Sequence, residues 1–367
     1  MTNTNRLPAL DAMRGSVMAL MAVDHVDTLI NPRHAGGDAA WMGRNAPLSA
    51  GDFLTRWCTH LCAPTFVFLA GASLALAAAR CRDDASRSTF DRRTATRGLL
   101  LLVLEFTWLS ACFRTIEGPP SWAFTTLLPV FAQVIFTIGA GLLLMVPLRR
   151  VPAPGRLALG LALLLVVEWA NAPGRELPLG AMLLVQSGVW STTGAGLDVL
   201  VLYPALAWLP VMLCGHVVGE RLAAGRWSSR AWWLAGMALL AVFVVLRGVD
   251  GLGNAHLHRR DGSLLEWLHC SKYPPSVTFL AMELGLMALL LGVWSRRSPG
   301  RLLMPLAALG QVPLFFYVLH FVVIGGLQAI GVFPAHGGAW WGSWPGAALV
   351  VAICWLPCIG YRRWRRR

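Results

Sequence analysis

The chain has 367 residues, 56% of them hydrophobic and only 13% charged, with a mean hydropathy of +0.59. A soluble domain carries about 25% charged residues, so the composition excludes a soluble globular protein, and long apolar runs such as GLLLLVLEFTWLSACF and LALGLALLLVVEWA point to an all-α polytopic transmembrane bundle. The net charge of +13 is carried by arginines that crowd the loops on one side of that bundle, so it reports topology and excludes nucleic acid as a partner.

The hydropathy pattern predicts about ten spans, at residues 10–30, 52–79, 98–114, 121–147, 157–172, 196–219, 231–248, 275–295, 302–331 and 345–361. With the N-terminus inside, the cytoplasmic segments carry Arg6, the cluster from Arg80 to Arg97, Arg149, Arg150, Arg156, Arg221, Arg226, Arg230, Arg296, Arg297, Arg301 and the basic tail RRWRRR at 362–367. The outer segments carry fewer: Arg33, Arg44, Arg114, Arg175, Arg247, Arg259, Arg260 and Lys272. Positive charge concentrates in cytoplasmic loops, which puts both termini in the cytoplasm. No soluble domain and no internal repeat interrupt the pattern, so the chain reads as a single integral-membrane domain over 1–367. No basic leader with a small-residue cleavage site precedes the first span, and a cleaved signal peptide is not expected.

The first span, ALDAMRGSVMALMAVDHVDTL, carries Asp11, Arg14, Asp24, His25 and Asp27. A charged group at the centre of a span costs about 2.5–3.5 kcal/mol on insertion scales. At about 100° per residue, the eleven residues from Arg14 to His25 complete three turns with about 20° left over. They therefore share a face, separated by about 16 Å along the axis. Asp11, Arg14, Met18, Met21, His25 and Thr28 form one stripe, in which Asp11 and Arg14 are spaced to pair. Asp24 and Asp27 project elsewhere.

Further along, the outer loop 31–51 holds His34, and the second span places Arg56 and His60 four residues apart. The loop 80–97 is a solvated connector. Glu105, Asp198, His216, Glu283 and His320 fall in or near later spans, and Glu168 is expected at the outer interface. Residues 172–195 are weakly polar, with a re-entrant or interfacial helix expected in PLGAMLLVQSGVW. The outer loop 249–274 carries His256, His258 and His269 and ends in KYPPS, with Lys272 and Tyr273 shaping an outer mouth. Eight cysteines without CxxC spacing provide neither a disulfide framework nor a zinc site, and no metal is expected. Thirty of the 31 basic residues are arginine, a compositional bias; the single lysine is Lys272.

The Arg-x10-His spacing in RGSVMALMAVDH resembles the motif of the acyltransferase-3-like superfamily of transmembrane acyltransferases. LDAMRG, PTFVFLAGASLAL, SKYPPSVTFLAMELG and PLFFYVLHF are similar to the bacterial relatives of heparan-α-glucosaminide N-acetyltransferase, from about residue 6 to 325. The resemblance implies a cytoplasmic acyl-CoA donor, acetyl-CoA above all, and an amine or hydroxyl of an extracytoplasmic sugar or glycan as acceptor. It implies the inner membrane of a bacterium as the location. It places an active histidine in the outer loop after the first span, where this chain has His34, whereas the superfamily motif falls on His25. The base is therefore open between the two, with His25 favoured. Histidine suits that role because its pKa is near neutrality. Arg14 is the candidate for acyl-CoA, since arginine pairs with phosphates through charge-assisted forks. His60, Lys272, Tyr273 and His320 are candidates for the acceptor side. A multi-pass transporter or flippase is the alternative, because intramembrane charges also mark transport paths. An oligomer is compatible with either.

Overall fold

The computed structural model describes residues 7–34, 38–42, 49–116, 128–191, 197–296 and 303–365. The expected start of the fourth span at 121–127 lies outside these residues, as do Arg6, Arg44, Arg297, Arg301, Arg366 and Arg367. The molecule is a helical membrane protein. Its first helix, α1 (Pro8–Ile30), opens on a proline, which suits a first turn whose N–H groups lack intrahelical partners. Its 23 residues reach about 34 Å, enough to cross a bilayer core.

Helix α2 (Ala50–His60) starts at Ser49, whose hydroxyl accepts the Asp52 N–H at 3.1 Å. It runs through a break at Leu61 into α3 (Cys62–Ala78). The solvated connector becomes the first turns of α4 (Asp84–Leu104), set by a capping box between Asp83 and Ser86. A π-helical turn (Glu105–Leu109) leads into α5 (Ser110–Ile116). Then follow β1 (Leu128–Ala132), α6 (Val134–Leu148), α7 (Ala153–Ala170), α8 (Leu179–Val185), β2 (Gly188–Ser191) and β3 (Leu197–Val201). The rest is α9 (Ala205–Ala223), α10 (Ser229–Val249), α11 (Leu264–Leu268), α12 (Val277–Arg296), α13 (Leu303–Leu309), α14 (Pro313–Ala329) and α15 (Trp340–Trp364).

Among the described residues, six helical stretches are long and apolar enough to cross a membrane alone, and a seventh if α13 and α14 count as one bent span. The other three expected spans fall on α1, which carries too many charges, α6, which has only 15 residues, and α9. A small sheet was not anticipated. Its order is β1-β3-β2, with β1 parallel and β2 antiparallel to β3. Two segments read as span beginnings are thus strands, because a short apolar run has no period that separates strand from helix. The span expected at 302–331 bends by 91° between α13 and α14, where Gly310 and Pro313 interrupt the helix.

Small residues set the closest helix contacts. A Cβ on Gly71 would run into the Met212 carbonyl, and one on Gly215 into the Phe68 carbonyl, so α3 and α9 meet backbone to backbone. Gly15 and Gly310 do the same for α1 and α13, against the carbonyls of Leu306 and Asp11. Buried charges brace the loops. Glu105 accepts the N–H groups of Gln133 and Phe136 at the start of α6, at 2.8 and 3.1 Å. Glu168, expected at the interface, is instead buried and accepts the Gly253 and Ala255 N–H groups. Arg247, read as a loop charge, is fully buried and donates to the carbonyls of Leu257, Glu266, Trp267 and His269. Both corrections have one cause: the outer loop 250–270 folds back over the helix ends and needs donors and acceptors inside it.

Gly215→Leu is expected to lower the thermal midpoint in detergent strongly, by about 3 kcal/mol or more of overpacking. Gly180→Ala, where an added Cβ meets nothing within 4 Å, should leave it unchanged.

Candidate active site

Arg56 of α2 gathers Asp24, from the C-terminal end of α1, with His34, Asp38 and Tyr273. Its Nη1 donates to Asp24 Oδ1 at 2.7 Å, and its Nε donates to Asp38 Oδ2 at 2.7 Å. Nη1 also lies 2.6 Å from His34 Nε2, and Nη2 is 3.5 Å from the Tyr273 hydroxyl. Guanidinium has no acceptor, so His34 Nε2 must accept here. The His34 Nδ1–H then donates to Asp27 Oδ2 at 2.7 Å. Asp27, 1% exposed, also accepts from Asn31 at 3.1 Å and from Ser343 of α15 at 2.5 Å. Asn31 continues to Asp52 at 3.0 Å, and Thr59 donates to Asp24 at 2.6 Å. One buried network therefore joins α1, the 31–42 segment, α2 and α15.

Asp38 lies outside the helices and shows the electrostatics of this network. Burial pushes its carboxyl up, but Arg56, His60 and Lys272 more than offset that and hold it well below the usual carboxylate range.

His25, between Asp24 and Asp27 on α1, is turned about 100° from Asp24, toward α14. Its Nδ1 lies 2.7 Å from His320 Nε2 on α14, the two rings stacked with centroids 5.0 Å apart. Phe113, Tyr317 and Phe321 enclose the pair. His320 Nδ1 sits 3.2 Å from the Phe316 carbonyl, which can only accept. That fixes the relay: His320 Nδ1–H donates to the carbonyl, His320 Nε2 accepts from His25 Nδ1–H, and His25 Nε2 keeps its lone pair. Among the described residues His25 Nε2 has no hydrogen-bond partner.

The other expected site residues separate into two places. Lys272 and Tyr273 lie at the network, where the Lys272 and Tyr273 N–H groups reach the Asp38 carbonyl at 2.8 and 3.4 Å. The Tyr273 hydroxyl is 3.4 Å from that of Tyr203. His60 is buried against Phe279, its Nε2 3.4 Å from Asp38 without a formed hydrogen bond. Arg14 stands apart. It pairs with Asp11 as spaced, at 3.0 Å, and donates to the Gly310 carbonyl at 3.0 Å and to Ser73 of α3 at 2.9 Å. Three of its five N–H donors are thus committed, one of them to the Gly310 carbonyl at the α13–α14 bend. Between Arg14 and His25 the stripe is closed by buried Met18 and Met21. His216 is held by Arg156, itself paired with Glu220 at 2.6 Å. Among the described residues no three His, Cys, Asp or Glu side chains are placed to hold a metal ion.

Sequence reading missed Asp24, Asp27, Asp38, Asp52, Arg56 and Ser343 as one network. Two signals were available: the carboxylates flanking His25 by one and two residues, and the Arg56–His60 spacing on one helix face. Asp38 and Ser343 reach the site only through tertiary folding and leave no local pattern.

The catalytic-domain model of heparan-alpha-glucosaminide N-acetyltransferase matches residues 6–252. No curated protein matches the chain. The matched region contains α1 with His25, and Arg56 with Asp24, His34 and Asp38, whereas Lys272, Tyr273, His320 and Ser343 lie beyond its end.

Asp38→Ala leaves Arg56 buried with one counter-charge fewer and is expected to cost about 3 kcal/mol, read as the loss in urea or thermal unfolding in detergent. A depressed carboxyl contributes stability above its unfolded pKa of about 3.9 and loses it as pH falls through the lower folded value. The gap between wild type and variant should therefore be flat from neutral pH down to about pH 5 and close only in strong acid.

Proposed function

Since the chain belongs to the heparan-alpha-glucosaminide N-acetyltransferase catalytic family, we propose that it moves an acetyl group from cytoplasmic acetyl-CoA to an amine or hydroxyl of an extracytoplasmic sugar or glycan. Membership makes the activity of the acetyltransferase type. The donor, the acceptor and the bacterial inner membrane are the proposal, as are the cytoplasmic termini and a single domain that extends past the matched region. The pairing of His25 with His320 and of Lys272 with the Asp38 backbone favours that single domain, because each joins matched to unmatched residues.

The observation that carries the proposal is the His320-oriented His25, whose Nε2 is free to accept a proton. Acyl transfer needs a base for the acceptor, and a neutral imidazole locked in one tautomer is suited to it. His34 is less available: Arg56 occupies its Nε2 and Asp27 its Nδ1. The Asp27–His34 pair nonetheless favours His34 as a second base reading, because a carboxylate orients an imidazole in the same way. Arg14 keeps two N–H donors for the acyl-CoA arm on the cytoplasmic side of the bend. His60 and Tyr273 line the acceptor side. The bent α13–α14 pair favours the transporter alternative, since broken helices mark transport sites.

Purified protein supplied with acetyl-CoA and glucosamine should release CoA. Substrate movement across vesicles with no CoA release from any acceptor would support transport and defeat the proposal. His25→Ala should lower turnover by about 10²–10⁴-fold with the melting temperature kept, and His320→Phe should lower it less, because it disturbs only the tautomer. Wild-type turnover in His25→Ala together with loss in His34→Ala would move the base to His34.

A further inference from the structure

Lys272 is the only lysine in a chain whose other 30 basic residues are arginine. It is also the odd cation of the site. Arg56 holds two carboxylates and an imidazole, and Arg14 holds a carboxylate, a carbonyl and a hydroxyl. The Lys272 residue is 2% exposed, yet its ammonium makes no hydrogen bond or ion pair with any described residue. Its nearest described partner is the Tyr273 ring, with the centroid 5.2 Å away. A buried charge is ordinarily paired or hydrogen-bonded.

The backbone around it is fixed. The Lys272 N–H donates to the Asp38 carbonyl at 2.8 Å, and the residue bridges to Pro275. Ser271 donates to the Pro274 carbonyl at 2.9 Å, and the Ser276 N–H to the Ser271 carbonyl at 2.9 Å. The hydrogen bond to the Asp38 backbone sets this turn beside Arg56, which pairs with Asp38 and with Asp24, the residue before His25 on α1. Lys272 therefore lies at the Arg56 network, on a turn held by these hydrogen bonds, with its three donors uncommitted among the described residues. A standing anionic ligand is disfavoured there, because the carboxylates of Asp24 and Asp38 already occupy the neighbouring Arg56. A negative charge that exists only during reaction, within reach of the ammonium, is not.

We propose that Lys272 is a catalytic residue of the acyl transfer, its ammonium binding the oxyanion of the tetrahedral adduct; this rests on the acyltransferase function proposed above. The acceptor nitrogen or oxygen bonds to the thioester carbon, and the carbonyl π pair moves onto oxygen, where Lys272 holds it. His25 Nε2 takes the acceptor proton. On collapse the carbonyl re-forms, the carbon–sulfur bond breaks and the proton passes to the departing thiolate, giving CoA thiol. No proton is taken from Lys272 in these steps, and nothing is oxidised or reduced. A compact ammonium with rotatable donors fits a small, moving oxyanion better than a planar guanidinium, which accounts for lysine at this one position against the bias of the chain.

The test is Lys272→Met in the full-length protein, assayed for CoA release with acetyl-CoA and glucosamine, beside a melting curve. Turnover should fall about 10²–10³-fold, with KM for both substrates within about threefold of wild type. The melting temperature should hold or rise, since no partner is left uncompensated. Turnover within about threefold of wild type overturns the inference. So does a raised glucosamine KM at unchanged kcat, which would make Lys272 a ground-state acceptor contact. Loss of folding or a fall in melting temperature that tracks the activity also overturns it, in favour of a structural role. Wild-type protein that releases no CoA with any sugar acceptor, and hydrolyses none, defeats the acyl-transfer function and this inference together; that result appears in the wild type, not the variant.

Discussion

A guanidinium carried into an apolar bundle must bring its counter-charges with it, and Arg56 organises the outer half of this protein on that condition. Its two carboxylates come from different places, Asp24 from the first helix and Asp38 from the segment after it. His34 is drawn in as a third acceptor, and Asp27 then locks the far side of that imidazole. Each buried polar group obliges the next, until Asn31, Asp52, Thr59 and Ser343 are all committed. Such a network is stabilising only when complete, so it fixes the relative placement of α1, α2 and α15 more narrowly than apolar packing between helices in lipid could.

The same logic separates the two histidines near the end of α1. His34 is consumed by the network, with both ring nitrogens occupied. His25, one face around the helix, meets another histidine instead of a charge, and the Phe316 carbonyl behind His320 decides which nitrogen keeps its lone pair. Backbone contacts at Gly15 and Gly310 bring α13, and through the bend α14, against α1 closely enough for that meeting. Arg14 therefore serves the site at a distance, by satisfying the Gly310 carbonyl that the bend exposes. Among the described residues Lys272, like His60, makes no side-chain hydrogen bond, and on the inference above its ammonium marks where a transient charge would go.

Much of this was legible in residue types. The charged first helix, the Arg14–Asp11 pair and the histidines at 25, 60 and 320 stand out because polar groups in apolar surroundings need a reason. Glu168 and Arg247 show the limit: by position they read as an interfacial acid and a loop charge, yet both are buried braces of the outer loop. Hydropathy records how apolar a segment is, not whether a loop folds back over a helix end. The strands β1 and β3 escaped for a related reason, since segments of five residues are too short to carry a usable period.

By itself the sequence determined the class of protein, a helical membrane bundle, and the family. Those depend on summed hydropathy, on charge distribution and on local spacing, all additive along the chain. Tertiary structure alone decided which of two neighbouring histidines keeps a free lone pair, that Arg14 braces a bend, and that Lys272 is buried without a counter-ion. Those facts depend on partners up to 296 residues away. Hydrogen bonds and ion pairs act over a few ångströms of space, and no local pattern states which distant residue will fill that space.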